Sequence, residues 1–282
     1  MRKIIVPTDF SANAMNALRF ATELFKYERV QIHIVHAFGA KIYEGDVYYT
    51  KPVFLEIKNN IERESLKQLE IIKNSIKEFS PNPRHVYTTS AEDGILIDVL
   101  DDLADDEEVD LVVMGTRGKT NDRKLTYGSN TLQVIKYIKP PVLTIPEDFI
   151  YTQPRDILFV TDFMLPYKRR ELKLLNILAK SYRGKINLLY LTEFDELSPR
   201  QEDNKSFLEA CLEDNVIALY KIKGTSIPEI TKSFIKEHET DLLVMINSRH
   251  SYMESLIYNS VIDTIELHVK IPFLVMQNIN RS

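Results

Sequence analysis

A loop rich in glycine, hydroxyl and basic residues follows a short apolar run that ends near residue 114. It contains Met114, Gly115, Arg117, Gly118, Gly128, Ser129, Asn130 and Thr131. Glycine lets an anion approach backbone amides closely, and a helix N-terminus adds unpaired N–H groups and the positive end of the helix dipole. Residues 115–131 hold four Lys or Arg and one Asp, in a chain whose net charge is −5. This local excess of positive charge predicts a phosphate-binding loop.

Two common nucleotide-binding motifs do not fit the sequence. A P-loop requires a glycine five positions before Gly118, and Val113 stands there. The glycine-rich turn of dinucleotide-binding folds would follow the first strand, where residues 8–11 read Thr-Asp-Phe-Ser. A phosphate site in this chain therefore uses a different glycine pattern.

The chain contains an internal duplication. The sequence around Asp9 recurs around Asp162 with an offset of 153 residues, and the apolar run ending at Met114 recurs with an offset of 131. The second copy is therefore 22 residues shorter between these two matches. The repeat predicts two homologous domains, 1–149 and 150–282.

In each copy, short β-branched runs alternate with longer stretches of helical periodicity, which predicts a parallel sheet covered by helices on both faces. Each copy is expected to form a doubly wound, Rossmann-like α/β domain with five parallel strands. The predicted strands are 3–8, 30–37, 85–89, 110–115 and 141–146, then 156–161, 185–191, 216–222, 241–246 and 272–277. The predicted helices of the first copy are one capped by Ser11, then 54–79, 93–106 and 128–138. Ligands of such sheets bind beyond the carboxyl ends of the strands, so Asp9 and the glycine loop are expected to meet there.

Composition excludes several other classes of protein. The 282 residues are 44% hydrophobic and 27% charged, which is too apolar for a disordered chain. A single cysteine, Cys211, excludes a disulfide framework within the chain. The negative net charge argues against a nucleic acid or an anionic membrane as partner. No apolar run is long enough for a signal peptide or a membrane span, so the protein is expected to be cytoplasmic.

The Pro-Thr-Asp-Phe-Ser end of the first strand, the Gly-x₂-Gly-x₉-Gly-Ser loop and the Pro-Val-Leu final strand resemble the universal stress protein family in its tandem-domain form. The resemblance covers residues 1–147 and, more weakly, 154–278, and it implies an adenine-nucleotide alpha-hydrolase-like fold. It also implies that ATP, with or without Mg²⁺, is the ligand. The implied contacts are Asp9 and Ala37 with the adenine, Met114, Gly115, Arg117 and Gly118 with the ribose and phosphates, and Gly128, Ser129, Asn130 and Thr131 with the phosphates. Family dimers pair through their last strands, so residues 142–146 and 273–277 are expected to meet and form a pseudo-dimer within the chain.

The second copy departs from this pattern at the glycines. At the corresponding positions Gly115 becomes Ile246, Gly118 becomes Arg249 and Gly128 becomes Asn259, while Ser129 is retained as Ser260. Side chains at the three glycine positions would crowd the backbone that cradles the phosphates. The second copy is therefore expected not to bind ATP in the manner of the family.

Three functions remain open at this stage. The favoured one is an ATP-binding stress or regulatory protein that acts on an unidentified protein partner. The alternatives are a slow ATPase on the same site and an interaction scaffold that binds no nucleotide. Phosphoryl transfer usually needs a carboxylate to hold the metal and a group to orient the nucleophile, and the sequence identifies neither catalytic nor metal-binding residues. The sequence does not say whether two chains form a homodimer.

Overall fold

The computed structural model describes residues 1–39, 50–106, 108–118, 127–192, 196–224, 226–248 and 270–278. Within these ranges, ten strands form one continuous sheet, in the order β3-β2-β1-β4-β5-β10-β9-β6-β7-β8. The first five strands belong to residues 1–149, here called the N-terminal half, and the last five to residues 150–282, the C-terminal half. The predicted boundary at residue 150 falls between β5 and β6.

The N-terminal half alternates strands and helices along the chain. Its elements are β1 (Arg2–Pro7), α1 (Ala12–Leu24), β2 (Val30–Ala37), α2 (Lys51–Phe79), β3 (His85–Glu92), α3 (Leu96–Asp106), β4 (Leu111–Gly115), α4 (Ser129–Tyr137) and β5 (Val142–Ile145). All of its strand pairs are parallel. The strand order reverses between β1 and β4, so the two chain segments that follow these strands emerge side by side.

The C-terminal half repeats this arrangement with a shorter middle segment. Its elements are β6 (Asp156–Thr161), α5 (Arg169–Tyr182), β7 (Lys185–Thr192), α6 (Pro199–Cys211), β8 (Val216–Lys223), α7 (Ile227–Glu237), β9 (Leu242–Asn247) and β10 (Phe273–Gln277). The helix after the second strand has 29 residues in the N-terminal half and 13 in the C-terminal half. This is where the sequence predicted the second copy to be shorter.

The apolar pattern of the sequence explains the layers. The central strands are buried on both faces, as in β4, where every residue is buried. Helices cover the two faces with one apolar side each. In α1 that side carries Ala17, Ala21 and Leu24, at the spacing of successive helical turns. The side chain of Ser11 accepts a hydrogen bond from the backbone of Ala14, which begins α1 at the predicted cap.

The two halves join through their last strands. β5 and β10 pair antiparallel, with Leu143 opposite Leu274 and Thr144 opposite Phe273. This pairing turns two five-stranded sheets into one and confirms the expected contact between the last strands. No helix in the described ranges is both long and apolar enough to span a bilayer.

Candidate functional site

The turn between β1 and α1 is tightly built around Asp9. The backbone N–H of Phe10 donates to the Thr8 hydroxyl at 3.0 Å, and the N–H of Ser11 donates to the Asp9 carboxylate at 3.0 Å. Phe10 adopts a φ of 64°, a left-handed conformation that is costly for a bulky residue. Asp9 is not the cap of α1, since Ser11 has that role, so its carboxylate is placed by the turn beyond the end of β1.

Gly118 lies directly against this carboxylate. A Cβ atom added to Gly118 would lie 2.7 Å from Oδ2 of Asp9, closer than carbon and oxygen can approach without one of them moving. The loop after β4 and the turn after β1 therefore meet, as the position of these strands in the sheet requires. Glycine, which has no side chain, lets the loop backbone lie against the Asp9 carboxylate.

Asn13 organises the first part of the same loop. Its Nδ2 donates to the backbone carbonyl of Arg117 at 2.8 Å, and its side chain occupies the space beside Gly115. A Cβ on Gly115 would be 2.6 Å from that Nδ2. The Oδ1 of Asn13 is buried and has no hydrogen-bond partner among the described residues. A buried acceptor without a donor is costly, and such groups are often found at functional sites.

The second part of the loop returns to the end of β4. The N–H of Gly128 donates to the carbonyl of Thr116 at 2.8 Å, and the hydroxyl of Thr131 donates to the carbonyl of Gly115 at 3.1 Å. Thr131 is buried and its hydroxyl is used inside the protein. Ser129 and Asn130, in contrast, are exposed at the first turn of α4, where backbone N–H groups have no partner within the helix.

The remaining predicted residues lie beside this centre. Ala37 is the last residue of β2, which is the neighbour of β1 in the sheet. The Nδ1 of His36 donates to the backbone carbonyl of Thr8 at 2.7 Å, which connects the end of β2 to the Asp9 turn. The side chain of Met114 is buried in the core, and only its backbone can face a ligand. Lys119, Thr120 and the rest of 119–126 lie outside the described residues.

Arg117 is the described cation of the loop. Its Nη2 lies 3.1 Å from Oε2 of Glu147, in the segment that follows β5. The arginine side chain is 20% exposed and the glutamate 40% exposed. The loop thus presents positive charge and backbone N–H groups at the carboxyl ends of β1 and β4, an arrangement suited to an anionic ligand.

The corresponding turn of the C-terminal half, around Asp162, makes the same two hydrogen bonds as the turn around Asp9. The N–H of Phe163 donates to the Thr161 hydroxyl at 3.0 Å, and the N–H of Met164 donates to the Asp162 carboxylate at 2.8 Å. Phe163 has a φ of 55°, close to the value at Phe10. Asp162 does not cap a helix, because α5 begins seven residues further on, at Arg169. Burial raises the pKa of the Asp162 carboxyl above its usual value.

What differs is that helix α6 covers this second turn. The side-chain amide of Gln201 donates to the carbonyl of Asp162 at 2.8 Å, and that of Asn204 donates to the carbonyl of Phe163 at 2.8 Å. At the position of Gly115 stands Ile246, whose side chain is buried in the core. Arg249, Asn259 and Ser260 lie outside the described residues. The backbone acceptors of the second turn are thus already bonded by the protein's own side chains.

Sequence comparison identifies the family of the N-terminal half. A family model described as "Universal stress protein family" matches residues 1–146, more than half of the chain. The chain belongs to this family. Universal stress protein MJ0577 of Methanocaldococcus jannaschii is 27% identical over 156 residues, which make up 51% of this chain and 94% of that protein. Universal stress protein YxiE of Bacillus subtilis is 26% identical over 148 residues, 51% of this chain and 97% of that protein.

Structure comparison extends the likeness to both halves. The crystal structure of a universal stress protein from Archaeoglobus fulgidus superposes with a TM-score of 0.69 at 15% identity, covering 98% of this chain and 96% of that one. At this level of identity the match concerns the fold, and it confirms the predicted α/β class. The matched residues of this universal stress protein include Gly115, at the end of β4, and Gly118 and Gly128 in the segment that follows it.

Asn13 was not among the residues that the sequence pattern indicated for the site. One signal was present: asparagine stands on the helical stripe of α1 whose other members are apolar. Within the described ranges, no three His, Cys, Asp or Glu side chains lie close enough to hold a metal ion together.

Proposed function

We propose that the N-terminal half of this universal stress protein binds ATP at the carboxyl ends of β1 and β4 and that the bound nucleotide regulates a protein partner. The observation that carries the proposal is the contact of Gly118 with Asp9. It leaves loop backbone, and no side chain, next to an oriented carboxylate, and a Cβ atom would fill this space. In a bound nucleotide, the carboxylate would face the base and the loop backbone would face the phosphates, so the two must lie side by side.

The family resemblance assigns the roles of the residues, and their positions in the structure support this assignment. Asp9, fixed by the turn, and Ala37 on the neighbouring strand would contact the adenine. Gly115, Gly118 and the backbone of Met114 would face the ribose and phosphates, with Arg117 supplying positive charge.

The first turn of α4 provides the remaining contacts. Ser129 and Asn130 would bind phosphate oxygens through their backbone N–H groups and the Ser129 hydroxyl. Gly128, whose N–H is bonded to the carbonyl of Thr116, would let the phosphates approach because it has no side chain. Thr131 stabilises the loop through the hydrogen bond that its hydroxyl donates to the carbonyl of Gly115. Asn13 holds the loop at Arg117, and its free Oδ1 leaves an acceptor in the same region.

We propose that the C-terminal half does not bind ATP. Its turn has the same hydrogen bonds around Asp162, but Gln201 and Asn204 cover the carbonyls there. A nucleotide would have to displace both amides and leave them unpaired, which costs roughly 1–3 kcal/mol for each buried group.

The two aspartates provide a matched pair of variants. Asp9→Ala and Asp162→Ala remove the same group from the same turn in the two halves. In equilibrium dialysis with labelled ATP, we expect Asp9→Ala to weaken binding by about tenfold or more, since a hydrogen bond to a charged group contributes about 1.5–3 kcal/mol. Asp162→Ala should bind like the wild type. Equal losses in both variants, or no ATP binding by the wild type, would reject the proposal.

A further inference from the structure

We propose that Glu147 is an internal competitor for Arg117 and that it sets the affinity of the N-terminal site for phosphate groups. The proposal rests on the function proposed above, because it concerns the same site. It adds a residue outside the glycine loop, in the segment that connects the two halves.

The ion pair between Arg117 and Glu147 is well formed. Nη2 and Oε2 are 3.1 Å apart, and the arginine side chain is four-fifths buried. The backbone of Arg117 is itself anchored, since its carbonyl accepts the 2.8 Å hydrogen bond from Asn13. The guanidinium therefore has a fixed starting point in the loop and a defined carboxylate partner.

Glu147 is also held in place. The Nδ2 of Asn16 lies 3.4 Å from the carbonyl of Pro146, 3.4 Å from that of Glu147 and 3.0 Å from that of Phe149. Asn16 is on α1, one helical turn after Asn13. The same helix thus positions both members of the ion pair, the loop through Asn13 and the connecting segment through Asn16.

A phosphate group arriving at Arg117 meets a cation that already has an anionic partner. Part of the attraction between arginine and phosphate must replace the attraction between arginine and Glu147. The attraction within a partly exposed ion pair is modest, so its removal should tighten phosphate binding by about two- to fivefold. The effect depends on phosphate, because the carboxylate competes only for the guanidinium.

The test compares Glu147→Gln with Asp148→Asn, which removes the same charge one residue further along, from an exposed side chain. The ligands are ATP, adenosine and tripolyphosphate, each titrated calorimetrically into the full chain at one ionic strength. We expect Glu147→Gln to bind ATP and tripolyphosphate about two- to fivefold more tightly and adenosine unchanged. Asp148→Asn should match the wild type for all three ligands. In an Arg117→Met background, Glu147→Gln should have no effect.

Each other result overturns a stated part. If Glu147→Gln binds ATP no more tightly than Asp148→Asn, or more weakly than the wild type, Glu147 is not a competitor. If the wild type binds tripolyphosphate with the expected response to Glu147→Gln but does not bind ATP, the nucleotide proposal fails and the role of Glu147 stands. If neither ligand binds, both are wrong.

Discussion

Asn13 carries a polar side chain on the apolar side of α1 and is 4% exposed. Its neighbours on that side, Ala17 and Ala21, are small and buried in the core. The space beside Gly115 accommodates the amide, which connects α1 to the loop at Arg117. Gly115 and Gly118 are thus required for different reasons. Gly115 leaves room for the side chain of Asn13, and Gly118 lets the loop backbone lie against the Asp9 carboxylate.

We expect Asn13→Ala to weaken ATP binding and to lower the free energy of unfolding by about 1–2 kcal/mol. The variant leaves the carbonyl of Arg117 without its donor and a small cavity beside Gly115. Titration with ATP and urea unfolding measure the two effects.

Asn16→Ala is the control, because it also removes an amide of α1 that bonds backbone carbonyls, but those of the connecting segment. It should lower stability, and because Asn16 also holds the segment of Glu147, ATP should bind as tightly as to the wild type or more tightly. If both variants bind ATP like the wild type, Asn13 does not organise the loop.

The sequence predicted a binding site at the glycines and Asp9 because the signals for these residues are local: a spacing, a turn and a charge excess. It did not predict the role of Asn13, whose partners lie about a hundred residues away, at Gly115 and Arg117. Nor could it show that Thr131 would use its hydroxyl within the protein, since that depends on where the carbonyl of Gly115 points.

At the scale of elements, the alternation of apolar runs predicted the strands to within a few residues. β2, for example, spans Val30–Ala37 as expected. Strands that are buried on both faces give such a clear pattern because nearly every residue must be apolar. The position of α6 could not be predicted in this way. Its contacts with the turn at Asp162 come from Gln201 and Asn204, two polar residues on a mostly polar helix.

Helix α1 ends against a buried histidine of β3. Nε2 of His85 lies 3.1 Å from the carbonyl of Phe25, the C-terminal cap of α1, and Nδ1 lies 3.2 Å from the hydroxyl of Tyr87. Burial raises the pKa of Tyr87 to about 12, so the phenol is protonated and can donate to Nδ1. Burial also lowers the pKa of His85, although the carbonyl of Phe25 and the charge of Glu23 act in the opposite direction.

This lowered pKa predicts a dependence of stability on pH. Below a pH of about 6.5, histidine in the unfolded chain takes up a proton that His85 in the folded chain does not yet bind. The contribution of neutral His85 to the free energy of unfolding should therefore be complete above that pH. It should decrease as the pH falls toward the folded-state pKa of His85.

In urea unfolding, the stability difference between the wild type and His85→Gln should be larger at pH 7.5 than at pH 5.5. A difference that is constant, or larger at pH 5.5, would show that His85 is not held neutral by burial.

In the whole molecule, side chains of the C-terminal half donate hydrogen bonds to carbonyls at the ends of two helices of the N-terminal half. The hydroxyl of Tyr182 donates to the carbonyl of Leu24 at 2.7 Å, at the end of α1. The amides of Asn247 and Gln277 both donate to the carbonyl of Ile135, in the last turn of α4, at 3.2 and 2.8 Å. Carbonyls in the last turn of a helix have no partner within it, so these contacts satisfy groups that would otherwise be buried unpaired.

The side-chain amides of Asn247 and Gln277 should act together in stabilising the contact between the two halves. Asn247 also donates to Oε1 of Gln277 at 2.9 Å, and both residues are buried. We expect Asn247→Ala and Gln277→Ala each to lower the free energy of unfolding by about 1–3 kcal/mol.

The double variant should lose less than the sum of the two single losses, by about 0.5 kcal/mol or more, since the shared bond is lost only once. Urea unfolding of the four proteins measures this coupling. Additive losses would mean that the two amides act independently.

The duplicated turns show how the two halves have diverged. Both keep the bonds around the aspartate and the left-handed phenylalanine, yet one turn faces a glycine loop and the other is covered by α6. We propose that this asymmetry leaves the N-terminal half open to a nucleotide and closes the C-terminal half.

Calorimetric titration of the nucleotide-free full chain with ATP distinguishes one open half from two. We predict one ATP bound per chain, and no measurable binding by Gly118→Val, whose side chain would collide with the Asp9 carboxylate 2.7 Å away. Two nucleotides per chain, none in the wild type, or undiminished binding by Gly118→Val would contradict the account.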